Sequence, residues 1–135
     1  MTTTWQRRIG LAAPALALYW ILLAVATHLP GDKVSIPAPW DKLIHASGYG
    51  LLAFLAAFVW RGRTRASLTG YVYLWSFLAV YGALDEVTQP IFTRTCDLYD
   101  WLADVCGALA GLLIHAAWAR LAAPKDVQAA TETTT

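Results

Sequence analysis

Four stretches of this chain are apolar over about the 20 residues that an α-helix needs to cross a bilayer. They cover residues 9–29, 43–60, 68–89 and 98–121. In lipid every backbone N–H and C=O must be satisfied within the protein, so only helices and closed barrels span. Runs this long predict helices. Composition agrees: 58% of the 135 residues are hydrophobic and 14% charged, against roughly 25% charged in a soluble domain. The expected fold is all-α: a polytopic membrane protein, a four-helix transmembrane bundle over residues 1–124. Residues 125–135 are polar and Thr-rich, and read as a disordered tail. The net charge of +1, with no basic stripe or aromatic platform, excludes a nucleic-acid partner. No internal repeat is visible.

Lys and Arg placement sets the orientation. Arg7, Arg8, Arg61, Arg63, Arg65, Arg120 and Lys125 fall on one side of the four spans, leaving Lys33, Lys42 and Arg94 on the other. The richer side is expected to be the cytoplasm, with both termini there. Tryptophans fit interfacial belts: Trp5, Trp60 and Trp118 inside, Trp40 and Trp101 outside, with Trp20 and Trp75 mid-span as packing residues. The first stretch also resembles a cleavable signal, with a basic start and Ala24-Val25-Ala26. Its apolar run continues almost to Leu29 with Pro14 and Trp20 inside, which favours a retained span. Residues 31–41, with Pro37 and Pro39, read as an extended outer loop. Residues 90–96 form the second outer loop. Cys96 lies in the second outer loop and Cys106 inside the fourth span, and the helical rise separates them by more than a disulfide tolerates unless the helix starts late. No paired-cysteine metal motif exists, and Cys106 reads as a small packing residue.

Charges at a helix centre in the membrane cost roughly 2.5–3.5 kcal/mol each on insertion scales, yet this chain concentrates them at one end of three spans. Asp41, His45 and Tyr49 share one face of the second at i, i+4, i+8. The structural reading beside the functional one makes Asp41 a cap, Lys42 an interfacial anchor and His45 a core histidine satisfied by a carboxylate. Tyr81, Asp85 and Gln89 share a face of the third span, with Glu86 and Gln89 as an i, i+3 pair. Two adjacent carboxylates call for a bridging cation, a pairing Arg or a retained proton, and Arg94 is the nearest Arg in sequence. In the fourth span Asp97, Asp100, Asp104, Gly107, Gly111 and His115 recur at spacings of 3, 4, 3, 4 and 4 as one stripe. Its glycines permit close helix contact, and Gly48 could admit another helix to the second span. Asp97 also reads as a helix cap. His115 lies near the cytoplasmic end and carries no assigned role. These polar ends share one leaflet, so a single pocket opening outward is expected.

Asp41-Lys42-x-x-His45-x-x-x-Tyr49 resembles the first signature of the VanZ-like membrane proteins. Glu86-x-x-Gln89, then Arg94-x-x-Asp97-x-x-Asp100-x-x-x-Asp104-x-x-Gly107-x-x-x-Gly111, is similar to the second. The match runs from the first span to Gly111. Asp104 departs from the pattern, since that position is often Asn in the family, so a cation or pairing argument does not transfer unchanged. The family is named for a protein linked to low-level teicoplanin resistance. The resemblance therefore implies a bacterial cell-envelope role in the cytoplasmic membrane and leaves mechanism open.

Three functions are compatible with these residues. The leading one is a non-enzymatic envelope protein whose pocket binds an amphiphile, a lipid-linked wall precursor or a lipoglycopeptide. Lys42 and Arg94 would contact phosphate, and acidic oxygens would suit Mg²⁺ or Ca²⁺. The second is a membrane-embedded hydrolase or transferase, with His45 as general base, Glu86 or Asp100 as its orienting partner or acid, and Arg94 facing developing negative charge. No Ser or Cys nucleophile sits at a recognisable spacing. The third is a small transporter, for which four helices are few unless the chain forms a homo-oligomer.

Overall fold

The structure, a computed structural model, describes residues 4–30, 37–61 and 67–122. Among these the chain is helical without strands: α1 (Thr4–Thr27), α2 (Ala38–Arg61), α3 (Leu68–Thr88) and α4 (Leu98–Leu121), with a 3₁₀ turn at Gln89–Phe92 between α3 and α4. The expected tail, 125–135, and residues 31–36 of the first outer loop lie outside the described residues, as do Lys33, Arg63, Arg65 and Lys125.

Three helices, α1, α2 and α4, are long and apolar enough to cross a membrane. The 21-residue α3 is also of spanning length, but four aromatic hydroxyl or indole side chains, two glycines and its terminal carboxylates dilute its apolar character. Large hydrophobic side chains cover the outside of the molecule, among them Leu11, Ile21, Val80, Leu84, Leu113 and Ile114. A soluble monomer does not expose apolar surface on that scale.

Local chemistry sets the helix ends. The side chain of Ser67 accepts the Gly70 N–H (3.1 Å) at the start of α3, and Asp97 accepts the Tyr99 N–H (2.8 Å) at the start of α4. The helix α2 starts earlier than the sequence suggested. Pro37 and Pro39 fall before and within its first turn, where no intrahelical N–H is needed, and the Trp40 and Asp41 N–H groups both bond to the Pro37 carbonyl. Asp41 is therefore a first-turn residue, not a loop residue or cap.

The ends of α1 and α3 meet the starts of α2 and α4, so successive helices are antiparallel. The closest pair is α2 with α4. A methyl group on Gly107 would overlap the carbonyl of Ala46, and one on Gly111 would overlap that of Gly50. Small residues at i, i+4 thus bring two backbones into direct contact, the usual basis of association where lipid is as apolar as the side chains. Reciprocal indole bonds join α3 to α4: Trp75 donates to the Val105 carbonyl (3.1 Å) and Trp101 to that of Ala79 (2.9 Å). Trp101, expected in an interfacial belt, is thus a helix-joining residue. The peripheral α1 docks through Tyr19, whose hydroxyl donates to the Gly48 carbonyl (2.9 Å), and through Leu23 against Gly48. Trp20 packs edge-on against Phe77 and Tyr81. The apolar core is Tyr49, Leu52, Ala53, Ala57, Leu78, Ala108 and Leu112. Cys96 and Cys106 are both exposed free thiols, so Cys106 faces outward from the bundle instead of filling it.

Candidate functional site

The polar residues gather at one end of the bundle in two layers. The outer layer consists of ion pairs. Lys42 Nζ lies 3.0 Å from Asp97 Oδ2 and 2.6 Å from Asp100 Oδ1, and 5.9 Å from the Tyr99 ring centre. Arg94 Nη2 lies 3.5 Å from Asp41 Oδ1. Asp97, at the mouth of this layer, is held below the usual carboxylate range by the Tyr99 N–H and then by the Lys42 ammonium.

One helical turn deeper lies a buried layer. His45 Nδ1 is 3.0 Å from Asp104 Oδ1 and 3.9 Å from Glu86 Oε1. Glu86 is held on both oxygens: Oε1 accepts from Gln89 Nε2 (3.2 Å) and Oε2 from the Asp97 backbone N–H (2.9 Å). His45, Asp85, Glu86, Gln89, Asp100 and Asp104 are each 4% exposed or less. Tyr49 is fully buried beneath them, its ring 5.9 Å from that of Tyr81. Among the described residues the arrangement is a buried polar core under a charged rim. Gly82 makes room for Asp104 between α3 and α4, where a methyl group would sit 3.4 Å from its side chain.

Two expected pairings are different in the structure. Arg94 reaches Asp41 of α2 instead of Asp85 or Glu86. The chain leaves α3 through the 3₁₀ turn and a left-handed Thr93 (φ 60°), which directs Arg94 across the bundle. His45 is oriented chiefly by Asp104, not by Glu86 or Asp100, because the α2–α4 contact brings those two positions together while Asp100 is taken by Lys42.

Asp85 and Glu86 also separate. Asp85 faces α1, where Oδ1 accepts from Thr27 Oγ1 (3.1 Å) with His28 Nδ1 at 3.5 Å. His28 Nε2 lies 2.9 Å from Thr88 Oγ1. Thr27 and His28 were missed by the sequence reading, so four helices contribute where three were expected. Their signal was present: two polar residues closing an apolar span in the same leaflet as the other clusters.

Within this layer four buried polar atoms have no hydrogen-bond partner among the described residues: Tyr49 Oη, Asp85 Oδ2, Gln89 Oε1 and Asp104 Oδ2. Three are carboxyl or amide oxygens that no described donor or positive charge meets, so with both carboxyls ionised this layer is short of donors. Two overlapping sets could hold a metal ion, Asp41–His45–Asp100 and His45–Glu86–Asp104, each with three donor atoms within 4.8 Å of one another. Both include an imidazole nitrogen, unlike the all-oxygen site expected for Mg²⁺ or Ca²⁺. The remaining stripe residue, His115, is fully buried at the far end, with Nδ1 3.0 Å from Tyr71 Oη and Phe54 and Trp118 around its ring.

No curated protein and no solved structure matches the chain. A family model described as VanZ/LLP1 matches residues 5–119, spanning all four helices and every residue of the polar layers, and the chain belongs to the VanZ/LLP1 family.

Proposed function

We propose that the protein is a multi-pass component of the bacterial cytoplasmic membrane, with α3 crossing as a fourth span and both termini in the cytoplasm. In this reading the polar end faces outward and takes the head of an amphiphile, such as a lipid-linked wall precursor or a lipoglycopeptide. The observation that carries it is the donor-poor polar core, which the packed rings of Tyr49, Tyr81 and Trp20 separate from an apolar groove deeper in the bundle. That groove, of about 510 Å³, is lined by Leu16, Trp20, Leu52, Leu74, Phe77 and Leu78 among others. Trp20, on the groove wall, stacks edge-on against Tyr81 (5.2 Å), which in turn lies beside Tyr49 under the polar core. An amphiphile needs both halves: buried acceptors and rim cations for its head, and an apolar channel for its chain.

Photo-cross-linking tests this. A photoreactive residue at position 74, inside the groove, should capture a lipid-linked precursor in cells, and one at exposed position 18 should not. Equal capture at both positions would mean bulk lipid contact and no site.

A second reading, a membrane-embedded hydrolase or transferase, is favoured by the buried His45–Asp104 pair at 3.0 Å. A carboxylate on one imidazole nitrogen leaves the other to act as a base. Mass spectrometry of envelope lipids separates the two. A covalent product present with the wild type and absent with His45→Ala at equal membrane abundance would favour catalysis.

A further inference from the structure

We propose that His45, Glu86 and Asp104 form a binding site for a divalent transition-metal ion of the Zn²⁺ class. The site does not depend on which amphiphile, if any, the protein binds.

The donor spacing fits. A tetrahedral ion with ligands at about 2.0–2.1 Å holds neighbouring donors roughly 3.3 Å apart. His45 Nδ1 is 3.0 Å from Asp104 Oδ1 and 3.9 Å from Glu86 Oε1, and one donor atom from each of the three residues lies within 4.8 Å of the others, so the three can close around one ion. The mixed nitrogen and carboxylate set suits Zn²⁺ and its neighbours. Ca²⁺ and Mg²⁺ prefer six or more oxygens or retained waters.

The second observation is independent of the spacing. Asp104 is fully buried and its Oδ2 has no hydrogen-bond partner among the described residues. Gln89 Oε1, on the amide that bonds to Glu86, is likewise unpartnered. Buried acceptors of this kind are costly unless something positive meets them.

Charge distinguishes this set from its neighbour. In the Asp41–His45–Asp100 set both carboxylates already face cations, Arg94 and Lys42. A dication there would sit beside an ammonium and a guanidinium. Glu86 and Asp104 have no ion pair with Lys or Arg among the described residues, and a dication bound to both with a neutral imidazole leaves the set without net charge. The supporting shell is in place: the Asp97 N–H and Gln89 hold Glu86, as outer partners hold the ligands of known metal sites. A fourth coordination position would take water or a ligand head group.

The test uses the full chain in detergent, stripped with a chelator. Zn²⁺ is titrated against a chromogenic chelator, and Co²⁺ is added separately for its visible spectrum. One Zn²⁺ per chain is expected, with Co²⁺ bands of a four- or five-coordinate ion that disappear on Zn²⁺ addition. Binding should weaken at least tenfold in His45→Ala and in Glu86→Gln. Should those variants fail to fold, the wild-type stoichiometry and Co²⁺ spectrum still decide. Wild-type protein that takes up neither ion above a detergent blank overturns the proposal. So does an equal loss in Asp41→Asn with full retention in Glu86→Gln, which would put the ion in the outer set.

Discussion

Gly107 of α4 lies so close to the Ala46 carbonyl of α2 that no side chain fits between them. His45 precedes Ala46 by one residue, and Asp104 precedes Gly107 by one helical turn. The backbone contact therefore sets the 3.0 Å separation of the imidazole and carboxylate. Gly107→Ala and Gly111→Ala should each destabilise the bundle by about 1–3 kcal/mol through overpacking. Gly10 provides the control, since a methyl there meets nothing within 4 Å and Gly10→Ala should be neutral or stabilising by about 0.5–1 kcal/mol. Thermal unfolding in detergent measures all three, and a Gly107→Ala variant as stable as the wild type would refute the close approach.

The two rim pairs differ in worth. Lys42 sits 2.6 Å from Asp100, whose side chain is 6% exposed, whereas Arg94 and Asp41 are 3.5 Å apart and both partly exposed. Surface pairs contribute about 0–1 kcal/mol, and breaking a buried pair costs about 3–5 kcal/mol. Lys42 remains partly solvated, so a double-mutant cycle of Lys42→Met and Asp100→Asn should give a coupling of about 1–2 kcal/mol. The cycle of Arg94→Met and Asp41→Asn should give less than about 1 kcal/mol. The reverse order would contradict the burial of Asp100 as the source of the difference.

The aspartate stripe of α4 was legible because helical periodicity alone puts Asp97, Asp100, Asp104, Gly107 and Gly111 on one face. The second span was legible for the same reason. Pairing across helices was not, because it depends on the crossing of α2 and α4 and on the turn after α3. Sequence distance pointed Arg94 at Asp85 and Glu86, but the left-handed Thr93 sends it to Asp41. Thr27 and His28 escaped notice because two polar residues make no periodic pattern, and their role appears only once α1 is seen against Asp85.

Asp97 gives the rim a dependence on acid. Its carboxyl is held below its ordinary value by the Tyr99 N–H and then by Lys42. A lowered pKa in the folded state means that the ionised form favours folding. The contribution is whole above the unfolded value, near about 3.9, and is lost as pH falls through the lowered one. Asp97→Asn keeps a capping oxygen but removes the charge. It should be less stable than the wild type at neutral pH and converge with it as pH falls through and below the ordinary carboxylate range. Thermal unfolding across that range checks the sign, and a gap that widens in acid would contradict it.

Thr27 and His28 tie the end of the first helix to the site, and the Thr27 hydroxyl is the donor that reaches Asp85. Thr27 donates to buried Asp85 Oδ1 at 3.1 Å, and Asp85 Oδ2 has no partner among the described residues. Thr27→Val keeps the shape and removes the donor, so it should cost about 1–3 kcal/mol, while Thr27→Ser should retain most of the stability. If valine and serine behave alike in thermal unfolding, the hydroxyl is not what joins α1 to α3.

Two native thiols report the orientation without added cysteines. Cys96 is exposed in the segment between the 3₁₀ turn and α4, beside the charged rim, and Cys106 is exposed two turns into α4. A maleimide needs water to generate the reactive thiolate. With the polar end outside, an impermeant maleimide should modify Cys96 on intact cells and leave Cys106, facing lipid, unmodified. Peptide mass spectrometry distinguishes the two sites. Modification of Cys96 only after the membrane is opened would invert the topology and with it the outward-facing site, and rapid modification of Cys106 on intact cells would mean that this face of α4 meets water instead of lipid.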